Sequence, residues 1–179
     1  MTIKVVCLLV IIVCALPVSA DHSLIATRPP ALKASEWINT KSIQLEHLSG
    51  KVVLIRWWTG PDCPYCKNSS VALNTWHEKY APQGLQVIGM YHHKTDTLLT
   101  TENVKTCADN FGFKFPIGID TNWETLNKWW LFTKRDWTSV SFLLDKTGVI
   151  QHIHPGGEYI EGDSDYNELE QKIINLLNE

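Results

Sequence analysis

The chain has 179 residues, 44% of them hydrophobic, and carries 19 acids against 16 lysines and arginines for a formal net charge of -3. That length and composition fit a single globular domain able to bury its own core, and they exclude a disordered chain. No basic stretch is present to neutralise a phosphate backbone, so nucleic acid is not expected as a partner.

In chain order, residues 1–20 read as a signal peptide. Lys4 gives a short positive region, an apolar run extends from Val5 to Val18, and Val18-Ser19-Ala20 is a small-residue exit site. The run is short for a membrane-spanning helix, and the membrane becomes a partner only if this segment is retained as an anchor. A periplasmic or secreted location follows, where disulfides persist. Residues 21–39, with Arg28-Pro29-Pro30, are predicted to form an extended lead-in to a domain spanning 40–179.

Ser42 to Leu48 is predicted as a weak edge strand ending at Gly50. Val52 to Trp58 is β-rich, closes at Gly60 and Pro61, and predicts a buried central strand. A helix is predicted from Pro64 to Tyr80, because proline suits a first helical turn and Leu73, Trp76 and Tyr80 recur at helical spacing. Leu85 to Tyr91 is a second buried strand. Strand, helix and strand in this order predict a parallel pair. Further helices are predicted at Thr101–Phe111, Trp123–Leu131 and Tyr166–Leu177, and a short strand at Phe115–Ile119. Ser139–Asp145 and Val149–His154, joined by Asp145-Lys146-Thr147-Gly148, predict an antiparallel hairpin. The result is an α/β fold, a mixed sheet between helices.

Once residues 1–20 are removed, the cysteines are Cys63, Cys66 and Cys107. A close pair plus an odd residue makes a poor structural framework and a good redox centre. Cys63-Pro64-Tyr65-Cys66 follows a strand and opens a helix, where unpaired N–H groups and the helix dipole favour an anion. The thiolate is the reactive form of cysteine, so Cys63 is the expected nucleophile and Cys66, one turn inside, the resolving thiol. A zinc site would want a second close pair, and none exists. The redox-active disulfide is therefore the only prosthetic chemistry expected, with no further cofactor and no metal. Cys107 is expected to be a buried hydrophobe.

These features resemble the TlpA- and ResA-like branch of the thioredoxin superfamily. The resemblance covers most of residues 40–177. It rests on Val52–Trp58, Cys63-Pro64-Tyr65-Cys66, Leu85-Gln86-Val87-Ile88-Gly89-Met90, Phe111-Gly112-Phe113-Lys114-Phe115-Pro116 and the stretch from Ser141 to Gly148. It implies a thioredoxin-like fold and disulfide exchange with cysteine-containing exported proteins, served by a separate electron donor or acceptor protein. Three positions depart from the branch. Asp62 replaces the usual tryptophan before the first cysteine, and a carboxylate there disfavours a thiolate. Ser139 takes the place of a cis-proline, so the Thr138–Ser139 peptide should be trans. Arg56 lies near the place of a buried acid, where it either favours thiolates or pairs with a core or rim carboxylate.

Around the pair, Trp58, Trp137, Thr138 and Ser139 are expected to face substrate. His93 and His154 end two strands on the cysteine edge and are candidates for a proton relay; His152 and His154 should share a face. Two other functions are compatible with the same residues. One is a thiol peroxidase, because Trp137 stands where glutathione-peroxidase-like proteins carry a tryptophan. The other is a copper chaperone using both thiolates and a histidine.

Overall fold

A computed structural model describes residues 24–94, 99–133 and 135–179. Residues 1–20, assigned above to a signal peptide, lie outside the described residues. The described chain forms strands β1 (Glu36–Ile38), β2 (Val52–Trp58), β3 (Leu85–Tyr91), β4 (Ile117–Ile119), β5 (Ser141–Leu144) and β6 (Ile150–His154). Its helices are α1 (Pro64–Tyr80), α2 (Thr101–Asn110), α3 (Glu124–Trp129) and α4 (Ser164–Asn178). None of these helices is long and apolar enough to cross a membrane.

The strands join one mixed sheet in the order β1-β4-β3-β2-β5-β6. β2 runs parallel to β3 and antiparallel to β5. The expected hairpin is present: β5 and β6 pair antiparallel, with Ser141 opposite His154.

β2 is buried along its whole length because each face of the sheet is covered. Val52, Leu54 and Trp58 point to the face covered by α1, α2 and α4, where they share a core with Cys66, Leu73, Trp76 and Leu169. Val53, Ile55 and Trp57 point to the other face and pack with Leu126, Trp129 and Phe142. The alternation follows from the two-residue period of a strand. Gly89 suits β3 because a Cβ there would sit a tight 3.1 Å from the Trp58 indole nitrogen.

Two expectations are corrected at the N-terminal side. Ser42–Leu48 contains no strand; Leu45–Leu48 is a 3₁₀ turn. The strand on that side comes from the lead-in, since Glu36, Trp37 and Ile38 pair with Ile119, Gly118 and Ile117. The domain therefore begins before residue 40. Residues preceding β1 are also tied down: Ala26 N–H donates to the Ile150 carbonyl at 2.8 Å, and Ile150 N–H to the Thr27 carbonyl at 2.9 Å. A short run with little periodicity gives no local sign of such pairing, which depends on unsatisfied groups of distant strands.

Candidate redox site

The site is built at the junction of β2 and α1. The chain leaves β2 at Trp58 and turns through Gly60 and Pro61 into α1. Cys63 is the N-cap of that helix, with an extended backbone, and its sulfur accepts the Cys66 N–H at 3.2 Å. Pro64 fills the first helical position, where a missing N–H costs nothing. Cys63 and Cys66 are joined as a disulfide, with Cα atoms 5.3 Å apart. The two sulfurs differ in environment. Cys63 is half-buried, whereas Cys66 is 2% exposed and its sulfur accepts the Thr59 N–H at 3.4 Å.

Cys63 opens onto a groove of about 500 Å³. One wall is the turn Thr59–Tyr65. The facing wall is Asp136, Trp137, Thr138 and Ser139, with Gly157 beside them; Tyr91, Lys94 and Leu99 complete the lining. Trp137 is 62% exposed and Tyr65 43%, and the two rings border a smaller hollow with Pro155, Gly156 and Gly157. No described peptide bond is cis, so Thr138–Ser139 is trans. Asp62 lines the groove beside Cys63.

Four expected residues, Trp58, Arg56, His93 and His154, do not line the groove. Trp58 does not line the groove: it is 1% exposed and packs edge-on against Tyr91, Phe111 and Phe113. It ends on a buried face because the strand alternation puts every second residue of β2 under α1. Arg56 is buried, and among the described residues no carboxylate lies within ion-pair distance of it. Its guanidinium donates to Ser141 Oγ at 3.2 Å and to the Gly157 carbonyl at 2.6 Å, and it lies 5.2 Å from the centre of the Tyr159 ring.

His93 and His154 are each held by a partner other than a cysteine. His93 Nδ1 meets the Tyr91 hydroxyl at 3.0 Å, and its carbonyl accepts the Trp123 indole N–H at 2.6 Å. His154 turns toward α4, where its Nε2 lies 3.0 Å from Asp165. His152 shares that face, 3.9 Å from Glu168. Burial lowers the pKa of His154 more than Asp165 raises it, and Arg56 adds repulsion. Among the described residues, no group of three or more His, Cys, Asp or Glu side chains is arranged to hold a metal.

Cys107 is free and buried on α2. Burial pushes its thiol up to about 11, with a smaller contribution from the charge of Asp62. Tyr91 is pushed up to about 12, also chiefly by burial. Tyr91, Lys94, Leu99 and Asp136 were not among the expected site residues. They arrive from the ends of β3 and from loops, and only Tyr91 carries a signal, as the last residue of a strand on the cysteine edge.

A parallel-cored mixed sheet whose central strand feeds a helix capped by a half-exposed disulfide defines a thioredoxin-like protein. The chain belongs to the redoxin family, whose model matches residues 30–173. It is 33% identical over 156 residues to protein DipZ of Mycobacterium tuberculosis (strain CDC 1551 / Oshkosh), covering 86% of this chain and 21% of DipZ. It is 29% identical over 110 residues to the thiol-disulfide oxidoreductase ResA of Bacillus anthracis, covering 62% of this chain and 58% of ResA. The chain thus spans about a fifth of DipZ and under three-fifths of ResA. Among solved structures it is similar to the thioredoxin-like superfamily protein SPOA0173, with a TM-score of 0.68 at 24% identity over 86% of this chain and 98% of that one. At that identity the likeness shows the fold. The expected fold and family agree with these findings.

Proposed function

We propose that the protein is an exported thiol–disulfide oxidoreductase that exchanges disulfides with cysteine-containing proteins outside the cytoplasm. The observation that carries this reading is the asymmetry of the Cys63–Cys66 disulfide, with one sulfur at a helix N-cap facing a groove and the other buried. A thiolate from a substrate can reach Cys63; Cys66 is shielded and positioned to release the mixed disulfide. The groove, at about 500 Å³, has more room than a sulfur atom alone needs. Residues 1–20 support export, and the name of the ResA relatives supports the reaction class. A separate protein would restore the resting redox state.

The test is a trap. A Cys66→Ser variant is expected to accumulate covalent adducts with exported proteins that reductant dissolves, and a Cys63→Ser variant is expected to give none. Adducts that form only with peroxide would instead indicate a peroxidase passing through a sulfenic acid. Copper binding lost in both variants, with no adducts, would indicate a chaperone. Absence of adducts under all conditions would overturn the proposed function.

A further inference from the structure

Arg56 is the fully buried cation of the described core. It lies on the face of β2 that packs against α1, between Leu54 and Trp58, in register with Gly89 on one side and Ser141 on the other. Its side chain is 1% exposed. Both of its hydrogen bonds go to neutral acceptors, Ser141 Oγ and the Gly157 carbonyl, and its Nε is buried without an acceptor. Tyr159 offers a ring face and not a charge. A guanidinium does not deprotonate in proteins, so among the described residues a full positive charge stands in the core without a counter-ion.

A buried charge of this kind is costly unless something compensates it. The surroundings indicate where compensation arises. Arg56 precedes Thr59 by three strand positions, on the order of 10 Å, and the Thr59 N–H donates to Cys66 Sγ. Tyr159, over the guanidinium, also ties its N–H to Ser69 on α1, one turn beyond Cys66. Gly157, bonded to the guanidinium, lines the groove with Cys63. The cation is thus bonded to a residue that lines the groove with Cys63, and its hydrogen bonds among the described residues go to neither sulfur.

We propose that Arg56 is the resident counter-charge of the reduced site, stabilising thiolate on the Cys63–Cys66 pair and making the disulfide an oxidant of substrate dithiols. This rests on reading the pair as a redox centre, and it adds a direction to that reading. A substrate thiolate attacks Cys63 Sγ, the Cys63–Cys66 bond breaks, and Cys66 leaves with the electron pair. A second substrate thiolate then attacks the substrate sulfur of the mixed disulfide, and Cys63 leaves. The substrate loses two electrons and becomes a disulfide, the pair gains them, and the substrate's thiol protons pass to solvent or to the departing sulfurs. A second disulfide, of a protein or of glutathione, re-oxidises the pair by the same exchange reversed. Both departing sulfurs leave faster as thiolates of lower basicity, and a stabilised reduced form is what makes a disulfide a strong oxidant.

Other charges act on the pair. Asp62 and Asp136 at the rim oppose a thiolate, and Lys94 at the rim favours it. These rim groups are exposed and screened by water and salt, whereas a charge held within the core is screened much less. For a separation of about 10 Å and an effective dielectric constant of about 20, one unit charge would change a thiol acidity roughly tenfold.

The experiment uses Arg56→Met, which keeps the volume without the charge, Arg56→Gln, and Arg56→Lys. Replacing a buried charge by an apolar side chain of similar volume is often tolerated, so the first variant is expected to fold. Each is equilibrated with glutathione buffers, and the thiolate of the reduced form is titrated by its ultraviolet absorbance. The neutral variants should hold the disulfide about tenfold more strongly against reduction, which is about 30 mV more negative for a two-electron couple. Their thiolate titration should move up by about one pH unit, while Arg56→Lys should stay near the wild type. Unchanged potential and titration in a folded neutral variant would overturn the proposal. So would failure of both neutral variants to fold beside a folded Arg56→Lys, since the charge would then serve the closed disulfide state itself. If the wild type does not equilibrate with glutathione at all, the redox reading is what fails.

Discussion

The two walls of the groove are made in different ways. The wall that carries the sulfurs is one continuous stretch, Thr59–Tyr65, and each position serves the start of α1: a turn at Gly60 and Pro61, an N-cap at Cys63, a proline at the first helical position. The facing wall is assembled from separated pieces. Asp136–Ser139 precedes β5, and Pro155–Gly157 follows β6. They meet because the hairpin folds back on itself and the Trp137 ring lies over Gly156, where an added Cβ would come within 3.2 Å of the tryptophan. On the proposed function, the chemistry resides in a local motif and recognition in a surface assembled by a tertiary contact. Changes to the first wall should abolish exchange, and changes to the second should alter which substrates are exchanged.

The largest effect should separate the walls outright. Cys63→Ser is expected to remove exchange with every disulfide tried, because no other described thiol opens on the groove. Trp137→Ala is expected to lower the rate with a folded or peptide substrate severalfold while leaving a small aromatic disulfide unaffected. Stopped-flow rates with both substrate types check this, and equal losses for both would erase the distinction.

A smaller effect should follow from breaking the contact that assembles the second wall. Gly156→Val is expected to push Trp137 off its seat, since the tryptophan side chain must give way to a new Cβ. The expected result is a peptide-substrate rate reduced about as far as in Trp137→Ala, with little change in melting temperature. A double variant no slower than either single one would show that both act through the same contact.

The smallest effect concerns acid and the framework behind both walls. His92 is buried against Trp123, with ring centres 4.9 Å apart, and burial depresses its pKa to about 3. His152 is depressed to about 4, again by burial first. A histidine held neutral in the fold takes up its proton more readily when unfolded. Stability carried by these groups is complete above the unfolded value of about 6.5 and declines as pH falls from there toward 4 and 3. The melting temperature should therefore drop by several degrees between pH 7 and pH 5 at constant salt. His92→Phe should flatten that dependence; an identical slope in the variant would assign the acid sensitivity to other groups.

Much of the first wall was legible in the sequence because its signals are local. Two apolar runs flanking a proline-started helix predict β2, α1 and β3, and the structure places them at Val52–Trp58, Pro64–Tyr80 and Leu85–Tyr91. The motif Cys63–Cys66 needed only its position between strand and helix to be read as a redox pair. The β5–β6 hairpin was readable from its turn. Residues on the surface of the groove were less so. Trp137, Thr138 and Ser139 were placed through a family resemblance, and Leu99 and Asp136 carry no local signal that they would face a cysteine more than 30 positions away in the chain.

The sequence by itself determined the order of elements from β2 onward and the close pair of cysteines, because helix caps, strand runs and cysteine spacing act over a few residues. Tertiary structure decided what lies on each side of a strand and which distant loops meet. Trp58 and Arg56 are two positions apart and share a face; the alternation of β2 takes both beneath α1, so the tryptophan is a core residue and the arginine a buried charge. The lead-in became an edge strand because β4 offered it an unpaired row of backbone groups. His154 found Asp165 on α4 rather than the cysteines because β6 presents that face to the closing helix. Each outcome depends on which surfaces are brought together when the sheet is covered, and no window of neighbouring residues contains that information.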